Sequence, residues 1–171
     1  MRTLYIVALA FILVSCSEKK SNEALRQTLL QQLRNSHSEE DWFAPLHNAI
    51  SGVTVEQASW KDSTDNHSIG QLTSHLVFWN ERVLKSFQGN TPPEFKGSND
   101  TTFRQLNEAE WQSMQIQLDS IQRQIEQVVQ DAPEEKIVEW SKTIGNLCMH
   151  NAYHGGQIVY IRKRNGWWKT H

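Results

Sequence analysis

A chain of 171 residues is long enough for one domain with a substantial buried core. Its formal charge is −2 and its isoelectric point is near 6.4, with basic residues scattered apart from Arg162-Lys163-Arg164, which argues against a nucleic-acid binder. Seven tryptophans are a heavy aromatic load that the packing has to absorb.

The chain opens MRTLYIVALAFILVSC, with basic Arg2 ahead of an apolar run from Leu4 to Val14. That run falls short of the about 20 residues that span a bilayer. A short basic start and a short apolar stretch form the pattern of a secretory signal. Leu13-Val14-Ser15-Cys16 resembles the lipobox of bacterial lipoproteins, which implies cleavage before Cys16 and a lipid on its sulfur. An ordinary signal peptide that happens to end near a cysteine is the plainer alternative. Residues 1–15 therefore read as signal, 16–21 as lipidated cysteine and linker, and 22–168 as the folded domain. The linker from Ser17 to Ser21 reaches about 17 Å when extended. The domain is thus expected at the cell envelope, tethered to a membrane and facing the periplasm or exterior. Cys148 is then alone in the domain, and reads as a small apolar helix residue.

Four helical segments follow, and no strand. The first, NEALRQTLLQQLRNS, spaces Leu25, Leu29 and Leu33 four apart behind Ser21. Helical character resumes at SEEDWFAPLHNAI, broken or kinked at Pro45, until Ser51-Gly52. The second main helix carries Ile69, Leu72, Leu76, Trp79, Val83 and Phe87 on one stripe, with Ser68 and Gln71 as a capping box. The third aligns Trp111, Met114, Leu118, Ile121, Ile125 and Val128 between an Asn107/Glu110 cap and Pro133. The fourth is expected from about Thr143 to Asn165, ending at Gly166.

Four amphipathic helices without strands define an all-α four-helix bundle. Between the second and third lies GNTPPEFKGSNDTTFRQL, from Gly89 to Leu106, a length uncommon without a purpose. Extended, it can run back along a helix of about 30 Å. Helices two and three are then expected to point the same way, joined by a long crossover.

The fourth helix contains HNAYHGGQ, from His150 to Gln157. His150 and His154 lie about 40° apart on a helical wheel and share a sector with Leu147, Ile158 and Ile161. Their Cβ atoms are then about 6 Å apart, close enough for both imidazoles to reach one ion at about 2.0–2.1 Å. Buried unpaired they would cost desolvation, and protonated they would repel. Ordinary helix-face histidines bonded to neighbours remain the competing reading. His75, at the edge of the second helix's apolar stripe, is the candidate third ligand. His37, His47, His67 and His171 stand in polar, terminal or turn-like contexts and read as surface residues, with His67 at a helix start.

Two motifs, HSIGQLTSHLVFWNERVL (His67 to Leu84) and HNAYHGGQIVYIRK (His150 to Lys163), resemble the DinB-like (DinB/YfiT) superfamily of metal-dependent bacterial proteins. GVTVEQASWK ahead of the first motif, with Ala58 and Trp60, resembles it too. The resemblance implies a four-helix bundle in up-down-down-up order. It implies a metal site of His75, His150 and His154 holding one divalent ion, zinc or nickel. Assigned relatives are largely thiol-dependent transferases or isomerases. The chain is therefore expected to be a metal-dependent hydrolase or thiol-dependent transferase of unknown small-molecule substrate. The rival expectation is a non-catalytic, metal-stabilised bundle that binds a partner at the envelope; pairing into a homodimer is left open.

Three histidines leave a coordination position free for water or substrate. Gln157, one turn past His154, is a candidate to orient a ligand or bound water, or else a buried amide. Glu81 follows His75 but on another helix face, and reads as a surface carboxylate. Gly155 and Gly156 together cost about 2 kcal/mol of helix propensity. They either admit a neighbouring helix that brings its imidazole within reach, or leave space for a ligand. Arg162 to Arg164 suit the negative end of their own helix, and Trp167 and Trp168 are expected to pack beneath the bundle.

Overall fold

The computed structural model describes residues 22–169, and among them the chain is helical with no strand. Helix α1 covers residues 22–37. Two short helices follow, α2 (Leu46–Ile50) and α3 (Val55–Ser59), then α4 (Ile69–Phe87), a 3-10 turn (Asn99–Thr102), α5 (Glu108–Asp131) and α6 (Glu134–Arg164). The signal, the lipobox with Cys16, and His171 lie outside the described residues. No described helix is long and apolar enough to cross a membrane.

Local chemistry sets the boundaries. Ser68 and Gln71 exchange side-chain and backbone hydrogen bonds at the start of α4, and Asn107 and Glu110 do the same for α5. Pro45 does not kink a helix but stands at the N-cap of α2, where its missing N–H costs nothing. Pro133 does the same for α6, so that helix starts at Glu134 and not near Thr143. Glu134 and Glu135 lie in its first turn, where they favour the positive end of the helix dipole.

The stripes read from the sequence meet in one core. Leu29, Leu33, Leu72, Leu76, Leu118, Ile125, Ile144 and Ile158 are buried together, each contributing about 1.5–3 kcal/mol of transfer free energy. Of the tryptophans, Trp111 is enclosed, and its indole donates to Val53 O at 2.9 Å. Trp42 is 94% exposed.

Partners across the helices fix their relative directions. Arg26, near the start of α1, donates to Val129 O at 2.8 Å and Gln130 O at 3.2 Å, the last carbonyls of α5. His37, at the other end of α1, meets Asp119 at 3.0 Å and Glu126 at 3.4 Å. Helices α1 and α5 therefore run oppositely. His37 is only 3% exposed. Its expected surface position is wrong, because those two carboxylates of α5 give both ring nitrogens partners and permit burial.

Asn80 of α4 bonds Asn151 of α6 at 2.9 Å, and Phe87 lies edge-on to Trp140, so this pair is also opposed. Helices α4 and α5 run together, with Gly70 beside Leu106 and Asn80 bonded to Gln122 at 2.7 Å. Ser36 of α1 lies beside the Cys148 thiol of α6, which burial pushes up to about 11, leaving it protonated and inert.

The long segment after α4 runs back along that helix. Phe95 packs on Phe78 and Trp79, Asn99 accepts from the Trp79 indole at 3.2 Å, and Ser74 donates to Thr102 O at 2.8 Å. It thereby delivers Thr102 and Phe103 beside His75.

Arg162 stands in the last turn of α6 as expected, but it is buried and its guanidinium also caps another helix. It donates to Asn48 O at 2.9 Å and Ala49 O at 2.7 Å, late carbonyls of α2. Trp168 lies over its guanidinium and Trp167 packs edge-on to Trp60.

Candidate metal centre

The histidine cluster is assembled by an amide network just beneath it. Asn80, Gln122 and Asn151 are fully enclosed. The Asn80 carboxamide donates to Asn151 Oδ1 and accepts from Asn151 Nδ2 at 3.1 Å and Gln122 Nε2 at 2.7 Å. Asn80 follows His75 by little more than a turn, and Asn151 adjoins His150. Satisfying these amides fixes the register of α4 against α6 and sets His75 opposite His150.

His75 and His154 are buried, and His150 is half-buried. His75 Nε2 lies 3.0 Å from His150 Nε2, and His154 Nε2 lies 3.1 Å from the same atom. The far ring nitrogens are held. His154 Nδ1 is 2.6 Å from Gln157 Oε1, a carbonyl oxygen that only accepts, so Nδ1 carries the proton. His75 Nδ1 is 2.6 Å from Thr102 Oγ1, whose own hydroxyl donates to Asn99 O at 2.6 Å. His75 must therefore donate there. Both imidazoles then turn a bare Nε2 lone pair toward His150.

This donor set fits a cation. Without one, His150 can offer a single proton to two facing lone pairs. Three neutral nitrogens around one ion remove that conflict, and a tetrahedral ion at about 2.0–2.1 Å would hold its ligand atoms about 3.3 Å apart. The ligand atoms of the three histidines all lie within 4.8 Å of one another.

Electrostatics point the same way. Burial, followed by the neighbouring charges of His154, His150 and His67, pushes His75 down to about 3. Burial and then His154 push His150 down to about 4. Burial also lowers His154, partly offset by Gln157. All three are neutral, ligand-ready imidazoles at pH 7. Between the ordinary 6.5 and about 4, the unfolded chain binds more protons than the folded one. The metal-free protein should therefore keep this stability in full above pH 6.5 and lose it as the pH falls toward 4. Thermal melts after chelation check this; a melting temperature that does not fall over that window would contradict it.

Around the cluster lies a groove of about 340 Å³, lined by His75 and His150 with Trp79, Val83, Asn99, Thr143, Asn146 and Leu147. Beyond His154, past Gln157 and His67, is a cavity of about 580 Å³. Phe103 stacks flat on His75 at 4.1 Å and on His67 at 3.7 Å.

The three histidines singled out in the sequence do come together. Gln157 joins them as the acceptor that sets the tautomer of His154. Glu81 does not: it pairs with Lys85 at 2.7 Å and lines neither opening. Thr102 and Phe103 were missed, and the only signal for them was the unusual length of their loop. The two glycines divide the roles proposed for them. A Cβ on Gly155 would stand 3.4 Å from Leu46 of α2, so the close neighbour is a leucine of a short helix and not the imidazole-bearing helix. Gly156 has nothing within 4 Å.

The fold and site define an all-helical protein organised around a three-histidine cluster able to hold a metal ion. A family model described as the DinB superfamily matches residues 37–158, and the chain belongs to that superfamily. No curated protein and no solved structure matches it.

Proposed function

We propose that this protein is a metalloprotein of the cell envelope, anchored by a lipid on Cys16, in which His75, His150 and His154 hold one divalent ion, zinc or nickel. The carrying observation is the convergence of three Nε2 atoms, two of them with their lone pairs fixed inward by Thr102 and Gln157. Imidazole ligands suit both ions. The domain of residues 22–168 is read as an up-down-down-up four-helix bundle of α1, α4, α5 and α6. The opposed α1/α5 and α4/α6 pairs, the parallel α4/α5 pair and the crossover lying along α4 support that order.

With three protein ligands, the bound ion supplies an open position that activates water or a thiol. The chain does the rest. Gln157 and Thr102 keep the imidazoles in one tautomer, Phe103 walls His75, and the adjoining groove admits a small substrate. We read the activity as hydrolysis or group transfer. Hydrolysis is favoured, because an envelope protein is not assured the small thiols of the cytosol. Asn22 lies near Glu134 and Ser36 near Cys148. The cluster is therefore about 20 Å along α1 from residue 22, at 1.5 Å per residue. With the proposed anchor at Cys16, the site would then stand away from the membrane.

A second reading has its own support: no carboxylate lines the groove at His75 and His150 among the described residues. The ion would then stabilise a bundle that binds a partner. Elemental analysis of the full-length chain, purified in detergent without chelator or affinity metal, tests the shared claim. About one zinc or nickel per chain is expected, absent from His154→Ala. A folded wild type that takes up neither ion would end both readings. Turnover of hydrolase or thiol-transfer substrates would select the first.

A further inference from the structure

Packing gives Gly156 no reason to be glycine. Nothing stands within 4 Å of the place its Cβ would take, yet a glycine inside a helix costs about 1 kcal/mol against alanine. What lies over it is the cavity of about 580 Å³, a volume within the range that holds small molecules. Tyr153 and Tyr160 stand about one turn to either side of Gly156 on α6, are 63% and 66% exposed, and line the same cavity. Two projecting phenol rings thus bracket a bare stretch of helix backbone. That is the shape of a flat slot.

The same cavity is also lined by Trp60 and His67. Stacking on Phe103 at 3.7 Å and 3° fixes the His67 ring. Its Nδ1 is enclosed without a hydrogen-bond partner, and the ring lines the cavity. Gln157 has its oxygen committed to His154, while its Nε2 has only a long 3.4 Å contact with the Tyr153 hydroxyl. Both groups can donate. The charged residues of the rim, Lys61 and Arg164 against Asp62 and Asp65, cancel in sign, and Arg164 is already paired with Asp62 at 2.7 Å.

We propose that this slot binds an uncharged ligand with a flat aromatic ring and an oxygen acceptor. The ring lies on Gly156 between the two tyrosines, and the oxygen faces His67 and Gln157. This adds a ligand class to the reading above but rests on the cavity, so the two stand or fall separately.

Benzamide is the probe, titrated by ligand-observed NMR against the full-length chain in detergent, before and after chelation. Saturable binding is expected in both states. Cyclohexanecarboxamide, with the same amide on a puckered ring, should bind about tenfold more weakly. Gly156→Leu, which fills the floor, should also lose about tenfold or more. Gly145→Leu should not, since Gly145 is equally unhindered but lies outside the cavity. Tyr160→Ala should weaken binding roughly three- to tenfold, and keeps the test alive if Gly156→Leu does not fold. Equal affinity for the two amides, indifference to both cavity variants, or loss of binding on chelation would each overturn the assignment.

Discussion

Asn80→Leu should cost the fold about 3–5 kcal/mol, a large share of the roughly 5–15 kcal/mol that holds a domain together. Leucine matches asparagine in branching and heavy-atom count, though it is bulkier, and it makes none of its bonds. The carboxamides of Asn151 and Gln122 would stay fully enclosed while losing their partner. Each orphaned polar group costs about 1–3 kcal/mol. Gln122 starts with no reserve, because its Oε1 is already unpartnered. Urea unfolding of the metal-free protein reads the effect as a lower midpoint at unchanged slope. The triple change of Asn80, Gln122 and Asn151 to leucine should recover much of the loss, since removing all the partners leaves nothing unpaired. A single variant within about 1 kcal/mol of wild type would mean that the network does not set the helix register.

His150→Ala should act in two opposite directions. It removes the nitrogen toward which the other two are aimed, so metal affinity should fall more than about a hundredfold, beyond the 10–100-fold typical of losing a ligand's outer partner. Competition against a chromophoric chelator measures this. It also removes a group that burial, and then His154, push down from the ordinary 6.5 to about 4. The metal-free variant should therefore lose less melting temperature than metal-free wild type between pH 7 and pH 5. Unchanged affinity would exclude His150 as a ligand, and an unchanged pH response would mean that folding does not depress His150 itself.

Much of this was legible because helical period and capping are local. Ser68 with Gln71 and Asn107 with Glu110 announce the starts of α4 and α5 in adjacent letters, and the buried stripes follow at three and four residues. The His150/His154 pair is readable for the same reason, since one turn of helix fixes it. His75 needed a tertiary assumption, and the amides that satisfy that assumption come from three separate helices. Thr102 had no sign beyond the length of its loop: its role depends on that loop returning along α4 to a histidine 27 residues earlier in the chain. His37 failed in the opposite sense. A histidine at a helix end looks exposed until two carboxylates of α5 arrive to cover it.

With an ion held as proposed, the bond between Thr102 and His75 would make the crossover and the metal parties to one equilibrium. Any free energy that the ion draws from a correctly turned His75 is returned as resistance of the 99–103 segment to peeling from α4, in equal amount. A molecule that grips the crossover in its docked position thereby tightens the ion, and one that draws it outward loosens it. The loop is thus a handle on metal affinity that can be worked from the surface, without entering the site.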